Sequence, residues 1–201
     1  MRIHFRELAG IQIDDSFNES TATKFRRILR YFQFVKTVPS SREGTILSQT
    51  LEGGDVNCAA VLMLLAHFSE QQDKLFQIVD DTAIVADVDT TKLPWTPCIV
   101  VCGNSPLTAK VFMVAVDQVI INDQLNSFNI AFQMMFCSYY VHNIDYLVEI
   151  AATMEFLQRC IFKINPDQGT KVSRKEKKHQ YAVNPRVLSL ISRIADFEWR
   201  E

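Results

Sequence analysis

The sequence predicts an α+β fold, in which a small antiparallel β-meander packs with several α-helices and the N-terminal part is helical. Short runs of β-branched and apolar residues lie at Cys98–Cys102, 110–116 and 119–121, and tight links separate them. Such runs predict neighbouring antiparallel strands. Two longer apolar segments, at 127–141 and 147–163, have the length of helices. The sheet is therefore expected to carry helices on one face.

The clearest element of the N-terminal half is a helix at 21–35. Its apolar residues recur at the spacing of a single helical face. They are Phe25, Ile28, Leu29, Phe32 and Val35. A polar stretch with three glycines follows at 37–56 and predicts a loop.

Three further elements are expected between this loop and the meander. A mostly apolar helix is predicted at 58–70, with Asp55 or Asn57 as its N-cap. A short helix at 72–79 and a short strand at 83–88 are predicted to follow it.

Length and composition predict one globular domain at 1–201. The chain has 201 residues, of which 48% are hydrophobic and 22% charged, and these are ordinary values for a domain with a buried core. Within it, a helical N-terminal subregion at 1–80 is distinguished from an α+β core at 81–201. The core ends in a predicted helix at 186–197.

The overall charge excludes some classes of partner. A net charge of −2 means that the whole molecule is not an electrostatic binder of nucleic acid or of an anionic membrane. No apolar run approaches the roughly 18 residues of a membrane span, and residues 1–7 lack the apolar region of a signal peptide. The cysteine count is five, an odd number. Reduced thiols are therefore expected, in an intracellular protein that is cytoplasmic or nuclear. Because the sequence has no apolar run of membrane length, no membrane partner is expected.

Aspartates cluster at the predicted strand 83–88. Asp87 and Asp89 have strand spacing and would share a face, and Asp80 and Asp81 lie close before them. Paired carboxylates can hold Mg²⁺ for phosphoryl transfer, so a metal-dependent phosphoryl-transfer enzyme is one hypothesis. A solvated strand end is the interpretation that the sequence favours.

Other catalytic and metal-binding patterns are missing from the sequence. The four histidines are scattered, and Cys98 and Cys102 lie in a strand-like run, so zinc-ligand spacing is not present. The sequence contains neither a nucleophile elbow nor a phosphate-binding loop. No catalytic residue, metal ligand or cofactor is therefore predicted.

A basic segment between the last two predicted helices suggests nucleic-acid binding. Five cations and one histidine fall close together there, and such a run can contact phosphate groups. A solvated loop would have the same composition. The five cations are Lys171, Arg174, Lys175, Lys177 and Lys178.

The helix at 21–35 suggests a protein-binding surface. Its second face is both basic and aromatic, which suits a protein partner better than water. The alternative is that its terminal phenylalanine packs under another element. The residues of this face are Arg26, Arg27, Arg30, Tyr31 and Phe34.

About half of the chain resembles the C-terminal region of animal sterile alpha motif domain-containing proteins. The stretches that carry the resemblance are LPWTPCIVVCG (93–103), KVF (110–112), SYY (138–140), NIDY (143–146), EFLQR (155–159), INP (164–166) and NPRV (184–187). The resemblance implies a eukaryotic origin, and it implies no catalytic residue.

The favoured hypothesis is a non-enzymatic interaction module that binds a protein partner or self-associates. It rests on the missing catalytic pattern and on the apolar residues of the sequence. The alternatives are nucleic-acid binding through residues 171–178 and phosphoryl transfer through Asp87 and Asp89.

Overall fold

The computed structural model describes residues 1–35, 41–164 and 183–198. It has the α+β fold that the sequence predicts: helices pack against a four-stranded sheet. In chain order the elements are α1 Arg2–Ala9, α2 Ile13–Phe34, α3 Arg42–Leu51, α4 Val56–Phe68, β1 Phe76–Val79, β2 Cys98–Cys102, β3 Val111–Val116, β4 Val119–Leu125, α5 Phe128–Val141, α6 Ala151–Phe156 and α7 Pro185–Glu198.

The predicted meander is confirmed: β2 pairs antiparallel with β3, and β3 pairs antiparallel with β4. Asp117 and Gln118 form the two-residue turn between β3 and β4, with φ angles of 54° and 61°. Positive φ at both central residues is what a tight hairpin between twisted strands requires.

One of the four strands, β1, was not predicted. The segment 72–79, expected to be a helix, forms a short 3₁₀ turn at Gln72–Lys74 and then the edge strand β1. β1 pairs parallel with β2, which makes the sheet mixed in the order β1-β2-β3-β4. A four-residue strand has too little local pattern to reveal a partner about twenty residues further along the chain.

Two other predicted elements are wrong. The segment 83–88, expected to be a strand, contains a 3₁₀ turn at Val85–Asp87, with Ile84 and Val85 exposed. The loop expected at 37–56 contains α3, because Ser41 caps a helix through its side chain and Ile46 and Leu47 are buried.

The long helix predicted at 147–163 is interrupted. It begins with a 3₁₀ turn at Val148–Ile150, becomes α-helical in α6, and widens into a π-helical turn at Leu157–Ile161. The amide of Phe162 closes this turn by donating to the carbonyl of Leu157 at 3.0 Å. Turns of this kind are frequent at functional sites.

The sheet separates two apolar clusters. On one face Ile99, Val101 and Val114 join a main cluster with the buried sides of α1 to α7, including residues of the N-terminal helices. On the other face Cys98, Val100 and Met113 pack under Val88 and Leu93 from the segment between β1 and β2. The period of two along each strand explains how neighbouring residues enter different clusters.

Helix α4 lies in the middle of the main cluster, and ten of its thirteen residues are buried. Asp55, one of the two N-cap residues that the sequence allows, is the cap: its Oδ1 accepts from the amides of Asn57 and Cys58, both at 2.9 Å. Among the described residues, no helix is both long and apolar enough to cross a membrane.

Replacing Asp55 by alanine should lower the free energy of unfolding by about 1 kcal/mol, because two helix amides lose their acceptor. Asp55→Asn keeps a side-chain oxygen at that position and should cost clearly less. Urea unfolding followed by circular dichroism measures both variants. Equal losses for alanine and asparagine would show that the cap hydrogen bonds are not what Asp55 contributes.

Candidate functional site

A cleft of about 270 Å³ lies between α2, the π-helical turn and α7. Its side chains fall into two groups, three cations and a mainly aliphatic floor. The cations are Lys24, Arg27 and Arg159, and the remaining lining residues are Ile28, Phe156, Cys160, Ile161, Ile191, Ile194 and Ala195.

Helix α2 provides one wall of the cleft. Arg27 and Ile28 follow Lys24 by three and four residues, so both lie on its side of the helix. Lys24 donates to the backbone carbonyl of Cys160. One turn earlier on α2, the hydroxyl of Ser20 donates to the carbonyl of Ile161 at 2.7 Å. These two bonds satisfy carbonyls at the end of the π-helical turn and hold α2 beside it.

The electrostatics of the cleft are one-sided, since none of its described lining residues is acidic. Beside the cleft, the carboxylate of Glu155 is fully buried and accepts from Arg159 at 3.3 Å and from the amide of Asn184 at 3.2 Å. Burial lowers the pKa of Lys24, and repulsion from Lys163 lowers it further. An anion in the cleft would oppose that shift and stabilise the charged amine.

The one thiol in the cleft is that of Cys160. It is the only cysteine of the five that is partly exposed, and all five are free thiols. Burial raises its pKa to about 11, although the nearby Lys24 and Arg159 act in the opposite direction. The side chain is therefore a neutral thiol at physiological pH.

The predicted protein-binding residues of α2 do not all lie in one surface. Arg27 lines the cleft, whereas Arg26 and Arg30 are exposed on the same helix. Tyr31 is 5% exposed and packs on Phe32 and on Phe197 of α7, so it belongs to the core.

Phe34 has features of both interpretations that the sequence left open, a protein-binding surface and packing against another element. It is 62% exposed, yet its ring centroid lies 5.1 Å from that of Phe197. The aromatic end of α2 thus packs on α7 while leaving a large apolar surface in contact with water.

The basic segment lies outside the described residues. This applies to Lys171, Arg174, Lys175, Lys177 and Lys178 alike. Nucleic-acid binding through them stays a prediction.

The aspartates between β1 and β2 are engaged in local turns. Asp87 accepts from the amide of Ile84 at 3.0 Å. Asp89 accepts from the Thr91 hydroxyl at 2.6 Å and pairs with Lys92 at 3.0 Å. Within the described ranges, no group of three or more histidine, cysteine, aspartate or glutamate side chains could hold a metal ion.

Sequence reasoning missed most of the cleft. Lys24, Arg159 and Ile191 come from three segments that are far apart along the chain. The only local signal was the absence of acids from residues 24–34, which contain four cations. Helical periodicity places Lys24 and Arg27 on one face, but it does not show which helix lies opposite.

Comparisons with known proteins add no identification. Neither a scan against models of protein families nor searches of curated proteins and of solved structures found a match for this chain. The resemblance to the sterile alpha motif proteins therefore stays a prediction.

Alkylation of the native protein at pH 8 should modify Cys160 before the other cysteines, because they are buried and it is partly exposed. A pKa of about 11 instead of 9.0 leaves less thiolate. Alkylation should therefore be roughly 10–100-fold slower than that of an unhindered thiol. Its rate should rise with pH up to about 11. Peptide mass spectrometry after a short exposure identifies the modified residue, and early modification of Cys98 would contradict this order.

Proposed function

We propose that this protein is a non-enzymatic interaction module, and that its cleft binds a protein segment in which acidic and apolar side chains alternate. The observation that carries the proposal is the composition of the cleft, whose described lining combines three cations with a mainly aliphatic floor. Carboxylates of a partner would meet the cations, and its apolar side chains would cover the floor.

Non-enzymatic binding suits the chemical groups of the cleft. The described lining holds cations and aliphatic groups, and burial keeps its thiol protonated by raising the pKa to about 11. A catalytic cysteine needs the opposite, a pKa lowered toward neutrality. Guanidinium groups that hold a carboxylate without further chemistry are common at protein interfaces.

A protein partner suits the cleft better than a nucleic acid does. Binding of single strands relies on exposed aromatic rings on which bases stack. The one aromatic residue in the described lining is Phe156, which is 2% exposed, and the floor is otherwise dominated by isoleucines. Nucleic acid therefore enters the test as an alternative ligand.

We also propose an intracellular location, in the cytoplasm or the nucleus. All five cysteines are free thiols, and four are buried, which suits a reducing compartment.

The proposal is tested with a fluorescent peptide in which aspartate or glutamate alternates with isoleucine or leucine. Fluorescence anisotropy should show saturable binding that weakens with added salt, because part of the attraction is between charges. Arg27→Glu should weaken binding by about tenfold or more, since the charge of a side chain that lines the cleft is reversed. Arg26→Glu is the matched control: it makes the same change at the neighbouring position outside the cleft lining, and it should have a small effect.

Two further ligands decide what the cleft recognises. A peptide with lysine in place of its acids should not bind, and a peptide with serine in place of its apolar residues should bind weakly. Equal effects of the two arginine variants would contradict binding in the cleft. Binding of a single-stranded oligonucleotide with the same dependence on Arg27, without peptide binding, would replace the proposal by nucleic-acid recognition.

A further inference from the structure

The segment between β1 and β2 is acidic and exposes apolar side chains. Residues 80–92 contain four aspartates and one lysine. Ile84 is 63% exposed and Val85 39% exposed between those aspartates. We call residues 80–89 the acidic turn. Its surface has the composition that the cleft is proposed to bind.

Local hydrogen bonds give the acidic turn a fixed shape. Asp80 accepts from the amide and the hydroxyl of Thr82, at 3.0 and 2.6 Å. The amide of Ile84 donates to Asp87 at 3.0 Å, and the amide of Asp87 donates to the carbonyl of Ile84 at 2.9 Å. A turn that is already ordered loses little conformational entropy on docking.

The acidic turn is anchored on the side of the sheet that faces away from the cleft. Val88 and Leu93 fix this segment on the face formed by Val100 and Met113. The opposite face packs on α5, and the main contacts of α2 and α7 are with other helices. The sheet and a helical layer thus separate the acidic turn of a chain from its own cleft.

We infer that the cleft binds the acidic turn of a second copy of this chain. The inference rests on the proposed function and names its partner. The described lining of the cleft holds three cations and no acid, and the acidic turn carries four aspartates, so the two surfaces are complementary in charge. Ile84 and Val85 would cover the isoleucine floor, as the apolar side chains of any acidic partner would.

The resulting contact is head-to-tail. Its two surfaces differ and lie on opposite sides of the molecule, so each copy offers one cleft and one acidic turn. Contacts of this kind extend into chains or close into rings, whereas a two-fold contact ends at the dimer. The contact is also expected to weaken with salt, because exposed charges are screened.

Two single substitutions separate the two halves of the contact. Arg27→Glu disables the cleft, and Ile84→Lys disables the acidic turn. Their matched controls are Arg26→Glu, next to the cleft, and Val119→Lys, because Val119 is 59% exposed at a different turn. Ala195→Glu is a second cleft variant, placed at an exposed residue of α7. Circular dichroism and thermal unfolding identify the variants that fold as the wild type does.

Sedimentation velocity at low salt measures the assembly. The sedimentation coefficient of the wild type should increase with concentration, and that of each disabled variant should stay at the monomer value. An equimolar mixture of Arg27→Glu and Ile84→Lys should form a dimer and nothing larger, because only one intact cleft and one intact acidic turn remain. Assembly should also slow the alkylation of Cys160, which lines the cleft.

The other outcomes overturn the inference. They are a wild type that stays monomeric at every concentration, assembly that persists in both disabled variants, and a mixture that fails to dimerise. If the acidic peptide still binds the cleft of a monomeric wild type, self-association is refuted and the proposed function stands. If neither the peptide nor a second copy binds, both are refuted.

Discussion

The stacking of Phe162 on Phe136, with ring centroids 3.7 Å apart, is the contact on which the candidate site depends. Phe162 directly follows the π-helical turn, so the stacked ring holds the end of the turn against α5. Phe17 of α2 stacks on the same ring at 5.6 Å. Buried aromatic pairs of this kind add about 0.5–1.5 kcal/mol beyond the area they bury. They place α2 beside the turn, where Ser20 and Lys24 satisfy its last carbonyls.

Charge is distributed unevenly in a molecule whose net charge is only −2. Cations are concentrated on residues 24–34 of α2 and around the cleft, and aspartates are concentrated on the opposite side of the sheet, in the acidic turn. Net charge governs the interaction with a distant partner, but at contact distance the local patches decide, because screening removes the influence of remote charges. Lys24 has two roles: it holds the π-helical turn by a hydrogen bond, and it contributes charge to the cleft.

The elements that the sequence predicted well are those that local interactions determine. The β2-β3-β4 meander follows from β-branched runs and a two-residue turn, and α4 and α5 follow from long apolar segments. The error at β1 falls where the decisive partner is distant, because β1 exists through its pairing with β2. The error at 83–88 has a local cause, because a hydrogen bond between Asp87 and the amide of Ile84 bends the segment into a turn. Short segments adopt the state that their tertiary neighbours stabilise.

The sequence by itself determined the α+β class, the helical stripe of α2 and the unbalanced charge of residues 24–34, because spacing and composition are local properties. The cleft was decided only by the tertiary structure, since Arg27, Arg159 and Ile194 meet through helix packing. Only the tertiary structure also places the cleft and the acidic turn on opposite sides of the sheet, because that placement depends on which face each segment covers. Periodicity shows that a helix has an apolar face, but packing between distant segments determines which surfaces are left to meet another molecule.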